Sequence, residues 1–240
     1  MREKNRKWAY ALVILGVVSL AQGSFYLLGQ QPPGGQERLV SGPMIQDVQK
    51  DRATITWVTQ QGGLAVKKAS EIVYKSLETK SYHRIDLSKL QAGTRYDYRL
   101  SQFGEGIKGS FQTAPDEKDA AFVFVVVGDT RTRDEVHTKS TAKVLAEQPA
   151  FVLHTGDLVA NGRDPAQWDT FFDIEKDLLR NIPFYPVPGN HENNAADYFK
   201  YFVFPGGNGH HYSFDWGYRR SQTGLRPGTG RMASTGFEEE

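Results

Sequence analysis

Three short apolar runs, each closing on a glycine-containing bend with an oxygen-donor side chain, constrain this chain more than any other feature. Val125-Val126-Val127 leads into Gly128-Asp129, and Phe151 to Leu153 leads into Thr155-Gly156-Asp157. Ile182 to Val187 leads into Gly189-Asn190-His191-Glu192. Runs rich in β-branched and aromatic residues suit strands buried on both faces of a parallel sheet. Ligands of open α/β sheets bind outside the carboxyl ends of such strands. Asp129, Asp157 and Asn190 are therefore expected on one rim, with His191 beside them. Carboxylate and amide oxygens with an imidazole suit hard or borderline divalent metals rather than thiolate-seeking ones.

The segments between these runs read as helices. Asp134 to Glu147 has Val136, Ser140 and Val144 on one face and Pro149 beyond its end. Asp164-Pro165-Ala166-Gln167 combines an N-cap, a first-turn proline and a capping-box partner. Trp168, Phe171, Phe172, Glu175 and Leu178 then recur at helical spacing, a mostly apolar stripe that should pack on the sheet. Strand, helix, strand, helix, strand is the resulting order. His154 lies inside a strand and reads as a hydrogen-bonded core residue. His137 reads either as a substitute metal ligand or as a surface or N-terminal-turn histidine. Arg131 either pairs two phosphate oxygens through its guanidinium or forms a salt bridge with a nearby aspartate.

On Gly128-Asp129, Gly156-Asp157 and Gly189-Asn190-His191-Glu192, in that order and spacing, the chain resembles the calcineurin-like metallophosphoesterases, in particular the branch related to purple acid phosphatases. The resemblance implies hydrolysis of phosphate esters at two divalent metal ions (Mn, Fe or Zn). Asp129 would bind one metal, Asp157 would bridge both, and Asn190 would bind the second. His191 would assist the leaving oxygen, and Glu192 would orient its neighbours. The chain departs from the pattern at Arg131, where many relatives carry a metal-binding histidine, and at Ala160, where purple acid phosphatases place a tyrosine ligand. Two later histidine motifs of the family have no counterpart. The expectation is a truncated or frameshifted coding sequence, or a fragment, whose metal complement these residues alone do not complete. The opposing reading is a non-catalytic extracytoplasmic binding module with a relic metal site.

Ahead of this region, Pro43 to Thr113 shows period-two alternation. Ala53, Ile55 and Trp57 alternate with Thr54, Thr56 and Val58, and Tyr96, Tyr98 and Leu100 alternate with Arg95, Asp97 and Arg99. That pattern suggests an antiparallel sandwich with solvated outer faces. Leu90 to Tyr98 resembles the late part of a fibronectin type III domain, where a leucine and a tyrosine pin a corner between strands. The fold class is thus multidomain β plus α/β: an N-terminal antiparallel β-sandwich, then the first half of a metallophosphoesterase α/β sandwich.

The remaining boundaries follow from composition. Arg2, Lys4, Arg6 and Lys7 precede the predominantly apolar run Trp8 to Leu28. This is the pattern of a secretory signal or an N-terminal membrane anchor, and either places the rest outside the cytoplasm, in a periplasmic or extracellular setting. Residues 1–29 are assigned to that segment, 30–42 to a Gln/Gly/Pro-rich linker, 43–114 to the sandwich, 118–217 to the phosphoesterase part and 218–240 to a disordered or aberrant tail. A net charge of +1 argues against nucleic acid as a partner, and the absence of cysteine removes disulfides and thiolate chemistry.

Overall fold

The computed structural model describes the backbone of residues 24–27, 37–61, 65–68, 71–75, 79–100, 103, 107–116, 121–206, 208–217, 219–224 and 237–239. Side chains are described for 38–60, 80–100, 103, 107–116, 121–206 and 208–217. Among the described residues the first half is built of strands: β1 (Ser24–Leu27), β2 (Glu37–Gln46), β3 (Arg52–Gln61), β4 (Ala65–Lys68), β5 (Glu71–Lys75), β6 (Thr79–Ser88), β7 (Arg95–Leu100) and β8 (Lys108–Gln112). β2, β3 and β6 form one antiparallel sheet, β4 and β5 a hairpin, and β7 pairs antiparallel with β8 and parallel with β1. β7 keeps the alternation of its sequence, burying Tyr96, Tyr98 and Leu100 while Arg95 and Asp97 face solvent. The Tyr96 hydroxyl accepts from the Gln91 N–H at 2.8 Å, so the tyrosine ties the turn before its own strand.

The second half contains β9 (Phe124–Val127), α1 (Asp134–Ala146), β10 (Phe151–His154), α2 (Pro165–Leu179), β11 (Phe184–Pro186), α3 (Ala196–Tyr201), β12 (His211–Trp216), β13 (Arg219–Gly224) and β14 (Phe237–Glu239). β9, β10 and β11 are parallel, in the order β11-β10-β9. Central strand β10 is wholly buried and serves two cores. Phe151 and Leu153 join the core that holds Tyr185, Phe214 and Trp216, and Val152 joins that of Trp168, Phe171 and Phe172 on α2. The period-two geometry of a strand is what sends alternate residues to opposite layers. α2 begins as its sequence predicts: the Asp164 carboxylate accepts from the Ala166 N–H at 3.0 Å, with Pro165 in the first turn.

Several expectations are corrected. The outer face of β2 and β3 is not solvated, for Thr54, Thr56 and Val58 are all buried. Met44 and Val58 belong to the α2 core, and the Gln46 side chain donates to the Tyr201 carbonyl and accepts from the Val203 N–H. Polar residues on that face are tolerated because they are hydrogen-bonded: Gln46 donates to Thr56 Oγ1, and Thr54 donates to Asp86. The two halves also meet where the Tyr98 hydroxyl donates to the Arg180 carbonyl and the Tyr185 hydroxyl to the Val48 carbonyl.

Among the described residues β9 is an edge of its sheet rather than a strand buried on both faces, and Val126 is 46% exposed. The inner face of α1 is His137, Thr141 and Val144, while Val136 is half exposed. β2 starts at Glu37, inside the segment whose composition reads as linker. β13 pairs antiparallel with β12 although its sequence lacks alternation, because ladder hydrogen bonds come from the backbone and need no apolar pattern. Of the apolar N-terminal run, residues 24–27 lie as a strand beside β7 and the rest falls outside the described residues. Among the described residues no helix is long and apolar enough to cross a membrane.

Candidate active site

The carboxyl ends of β9, β10 and β11 each turn sharply, and the turns are locked to one another. Asp129 and Asp157 both adopt the left-handed region, with φ of 58° and 57°. Such a conformation is uncommon for residues other than glycine, although aspartate tolerates it better than most. The Asp129 N–H donates to the Gly156 carbonyl at 3.0 Å and the Arg131 N–H to the Asp157 carbonyl at 3.4 Å. Thr130 Oγ1 donates to the Leu158 carbonyl at 3.2 Å. Glycine is required at the next crossing: a Cβ on Gly189 would collide with the Asp157 carboxylate.

Glu192 is the clamp of this assembly. Fully buried, its carboxylate accepts from four backbone N–H groups: Asp157 at 2.9 Å and Gly189 at 2.6 Å on Oε2, Leu158 at 2.8 Å and Val159 at 3.2 Å on Oε1. One side chain therefore satisfies donors from two bends that are about 30 residues apart in sequence and would otherwise be stranded in the interior. Its orienting role, implied by the sequence resemblance, is visible as geometry.

Asp129 and Asp157 converge on Arg131. Nη1 of that residue lies 3.0 Å from Asp129 Oδ1 and 3.2 Å from Asp157 Oδ2. Of the two alternatives for Arg131, the salt bridge is the one observed. The Asp129 side chain is 71% exposed, whereas those of Arg131 and Asp157 are mostly covered. The other Asp157 oxygen accepts from the His191 N–H at 3.1 Å. His191 Nδ1 donates to the Ala160 carbonyl at 2.8 Å, so Nδ1 carries a proton and Nε2 is the ring atom left for other partners. Asn190 sits exposed on the bend between Gly189 and His191.

The two carboxylates fit a hard cation, since a cationic nitrogen already bridges them. Among the described residues no group of three His, Cys, Asp or Glu converges to hold a metal ion. The two carboxylates thus share one cationic partner, Arg131 Nη1, and no third acidic, histidine or cysteine side chain among the described residues joins them.

His137 is the N-terminal-turn histidine of α1, its N–H bonded to the Arg133 carbonyl, and its ring faces α2 rather than the rim or the surface. It is buried between α1 and α2, with Nε2 2.7 Å from Glu175 Oε1, which also accepts from Thr141 Oγ1 at 2.9 Å. The polar member of the α2 stripe, Glu175, is matched by partners on α1 that helical spacing within either element does not reveal. His154 is the expected core histidine. It is 1% exposed, pairs through Nε2 with Thr130 Oγ1 at 3.1 Å and accepts through Nδ1 from the Gly156 N–H at 3.3 Å. Burial above all, then nearby His137, lowers its pKa from 6.5 to about 3, so it is neutral and helps position the two bends. Thr130 was not singled out by the sequence; adjacency to Asp129 was its only signal.

Residues 122–236 match the calcineurin-like phosphoesterase family. The chain is 33% identical over 143 residues to acid phosphatase type 7 of Mus musculus, covering 56% of this chain and 32% of that protein. It is 24% identical over 197 residues to purple acid phosphatase 22 of Arabidopsis thaliana, covering 72% and 44%. Among solved structures it resembles a purple acid phosphatase isolated from yellow lupin (Lupinus luteus) seeds, with a TM-score of 0.53 and 18% identity over 74% of this chain and 43% of that one. At that identity the likeness is one of fold. The chain spans between about a third and somewhat under half of the length of these relatives. Residues 122–236 thus carry a calcineurin-like phosphoesterase domain with purple acid phosphatases among its homologues.

Proposed function

We propose that this chain carries the first part of a metal-dependent phosphoesterase site, directed at phosphate esters. The observation that supports the reading most is the convergence of Asp129 and Asp157 on one cationic nitrogen at the carboxyl ends of adjacent parallel strands. Strands fixed in register bring two carboxylates together, and the Glu192 clamp holds the second bend so that they stay together. Asp129, Asp157 and the side-chain oxygen of Asn190 would hold the metal. Bound metal supplies charge neutralisation at phosphorus and an acidified water.

The chain's own residues do the rest. The Ala160 carbonyl orients the His191 ring through Nδ1 and leaves Nε2, in the protonated ring, to give its proton to the leaving oxygen. The Arg131 guanidinium, on the same rim, pairs with phosphate oxygens. The β domain reads as fibronectin type III-like, which the Tyr96 corner and the antiparallel sheets support. Export from the cytoplasm remains the proposed setting, on the basic and apolar N-terminal sequence.

The pairing of Arg131 with both carboxylates favours a second reading, a binding module in which the arginine has replaced the metal. Metal content and aryl-phosphate hydrolysis, with and without manganese, decide between them when wild type and Asp157→Ala are run side by side. Metal uptake and turnover that both disappear in the variant support the phosphoesterase. A folded wild type that takes up no metal and hydrolyses nothing leaves the binding module.

A further inference from the structure

Arg131 is more than a bystander at this rim, because one nitrogen atom touches both carboxylates. Nη1 contacts Asp129 Oδ1 and Asp157 Oδ2, which places positive charge between them where a bridging cation would sit. Two carboxylates brought this close repel unless a cation intervenes. The backbone on either side is fixed: Asp129, Thr130 and Arg131 are each hydrogen-bonded to the 156–158 bend, and Thr132 has a φ of 71°. The mobile part is therefore the arginine stem, a long flexible chain that releases its head without disturbing the bends. The guanidinium and an incoming metal ion compete for the same two oxygens.

We propose that Arg131 is a displaceable internal counter-ion that couples metal loading to phosphate binding. In the metal-free site it neutralises and preorganises Asp129 and Asp157. A divalent cation that takes those oxygens expels the guanidinium, and the expelled group, still tethered at the rim, becomes free to pair with phosphate oxygens. While it is held by two carboxylates the same guanidinium is a poor anion partner, since its charge is already spent on them. Metal binding and phosphate binding should then be linked in the same direction, and linkage of binding free energies is reciprocal. This inference rests on the phosphoesterase reading and deepens it by assigning an order: metal first, phosphate second.

The experiment is calorimetric titration of the full chain with manganese, then of the manganese-saturated chain with inorganic phosphate. Wild type, Arg131→Ala, Arg131→Gln and Asp157→Ala are compared, each first checked for a cooperative thermal transition. Removing the competing guanidinium should tighten manganese binding about tenfold or more, because charge-assisted hydrogen bonds no longer have to be broken. The same variants should bind phosphate about tenfold more weakly once loaded with manganese, and wild type without manganese should bind phosphate weakly or not at all. Arg131→Gln keeps most of the stem volume, so it provides the answer if Arg131→Ala fails to fold. Unchanged or weaker manganese binding in the arginine variants overturns the proposal, as does phosphate binding that is independent of manganese. Manganese binding that is lost in Asp157→Ala but indifferent to Arg131 leaves the phosphoesterase reading standing and removes only the counter-ion. No manganese binding by any of the four proteins removes both.

Discussion

Replacing Glu192 by glutamine tests whether a single buried carboxylate holds the site together. In the wild type each oxygen receives two backbone N–H groups, Leu158 and Val159 on one, Asp157 and Gly189 on the other. Glutamine is nearly the same size but offers only one oxygen. Whichever way the amide is turned, its NH2 faces two N–H donors that cannot bond to it. Two charge-assisted bonds are lost at about 1.5 to 3 kcal/mol each, so Glu192→Gln should cost about 3 to 6 kcal/mol. That is a large share of a typical domain stability of about 5 to 15 kcal/mol. Urea unfolding followed by tryptophan fluorescence measures it, with the slope against denaturant checked for constancy. If the amide turns its NH2 toward Asp157 and Gly189, the bend carrying Asp157 loosens and manganese affinity should fall as well. A loss of stability below about 1 kcal/mol would refute the reasoning, for it would mean that these four contacts do not carry the bends.

Two further outcomes follow from the same geometry. His154 titrates at about 3 in the folded chain against an ordinary 6.5, so as pH falls the unfolded chain takes up its proton first. Its contribution to stability is complete above about pH 6.5 and erodes toward pH 3, at about 1.4 kcal/mol per unit. The stability difference between wild type and His154→Gln should therefore shrink by roughly 2 kcal/mol between pH 7 and pH 5, and a difference that does not vary with pH contradicts this. Tyr98→Phe removes the hydroxyl that donates to the Arg180 carbonyl between the two halves. It should lower stability by about 1 kcal/mol, read as a fall in Tm, while Tyr98 packing in the core is kept; an unchanged Tm would show that this contact contributes nothing.

The sequence determined what is local. Apolar runs followed by glycine bends specify β9, β10, β11 and the placement of Asp129, Asp157 and Gly189 to Glu192, because strand and turn preferences act over a few neighbouring residues. The Asp164 cap and the aromatic face of α2 were legible for the same reason. His154 was readable as a core residue from its place in an apolar strand. Tertiary structure alone decided the pairings. Arg131 reaches Asp157 across 26 residues, Glu192 gathers N–H groups across as many as 35, and Gln46 meets Tyr201 across 155. No periodicity announces such partners. The burial of Thr54 and Thr56 likewise depends on what covers the outer face of β2 and β3, and the inward turn of His137 depends on Glu175 of α2 packing against α1. A polar residue reads as solvent-facing until a distant donor or acceptor is brought against it, and only the assembled chain supplies that partner.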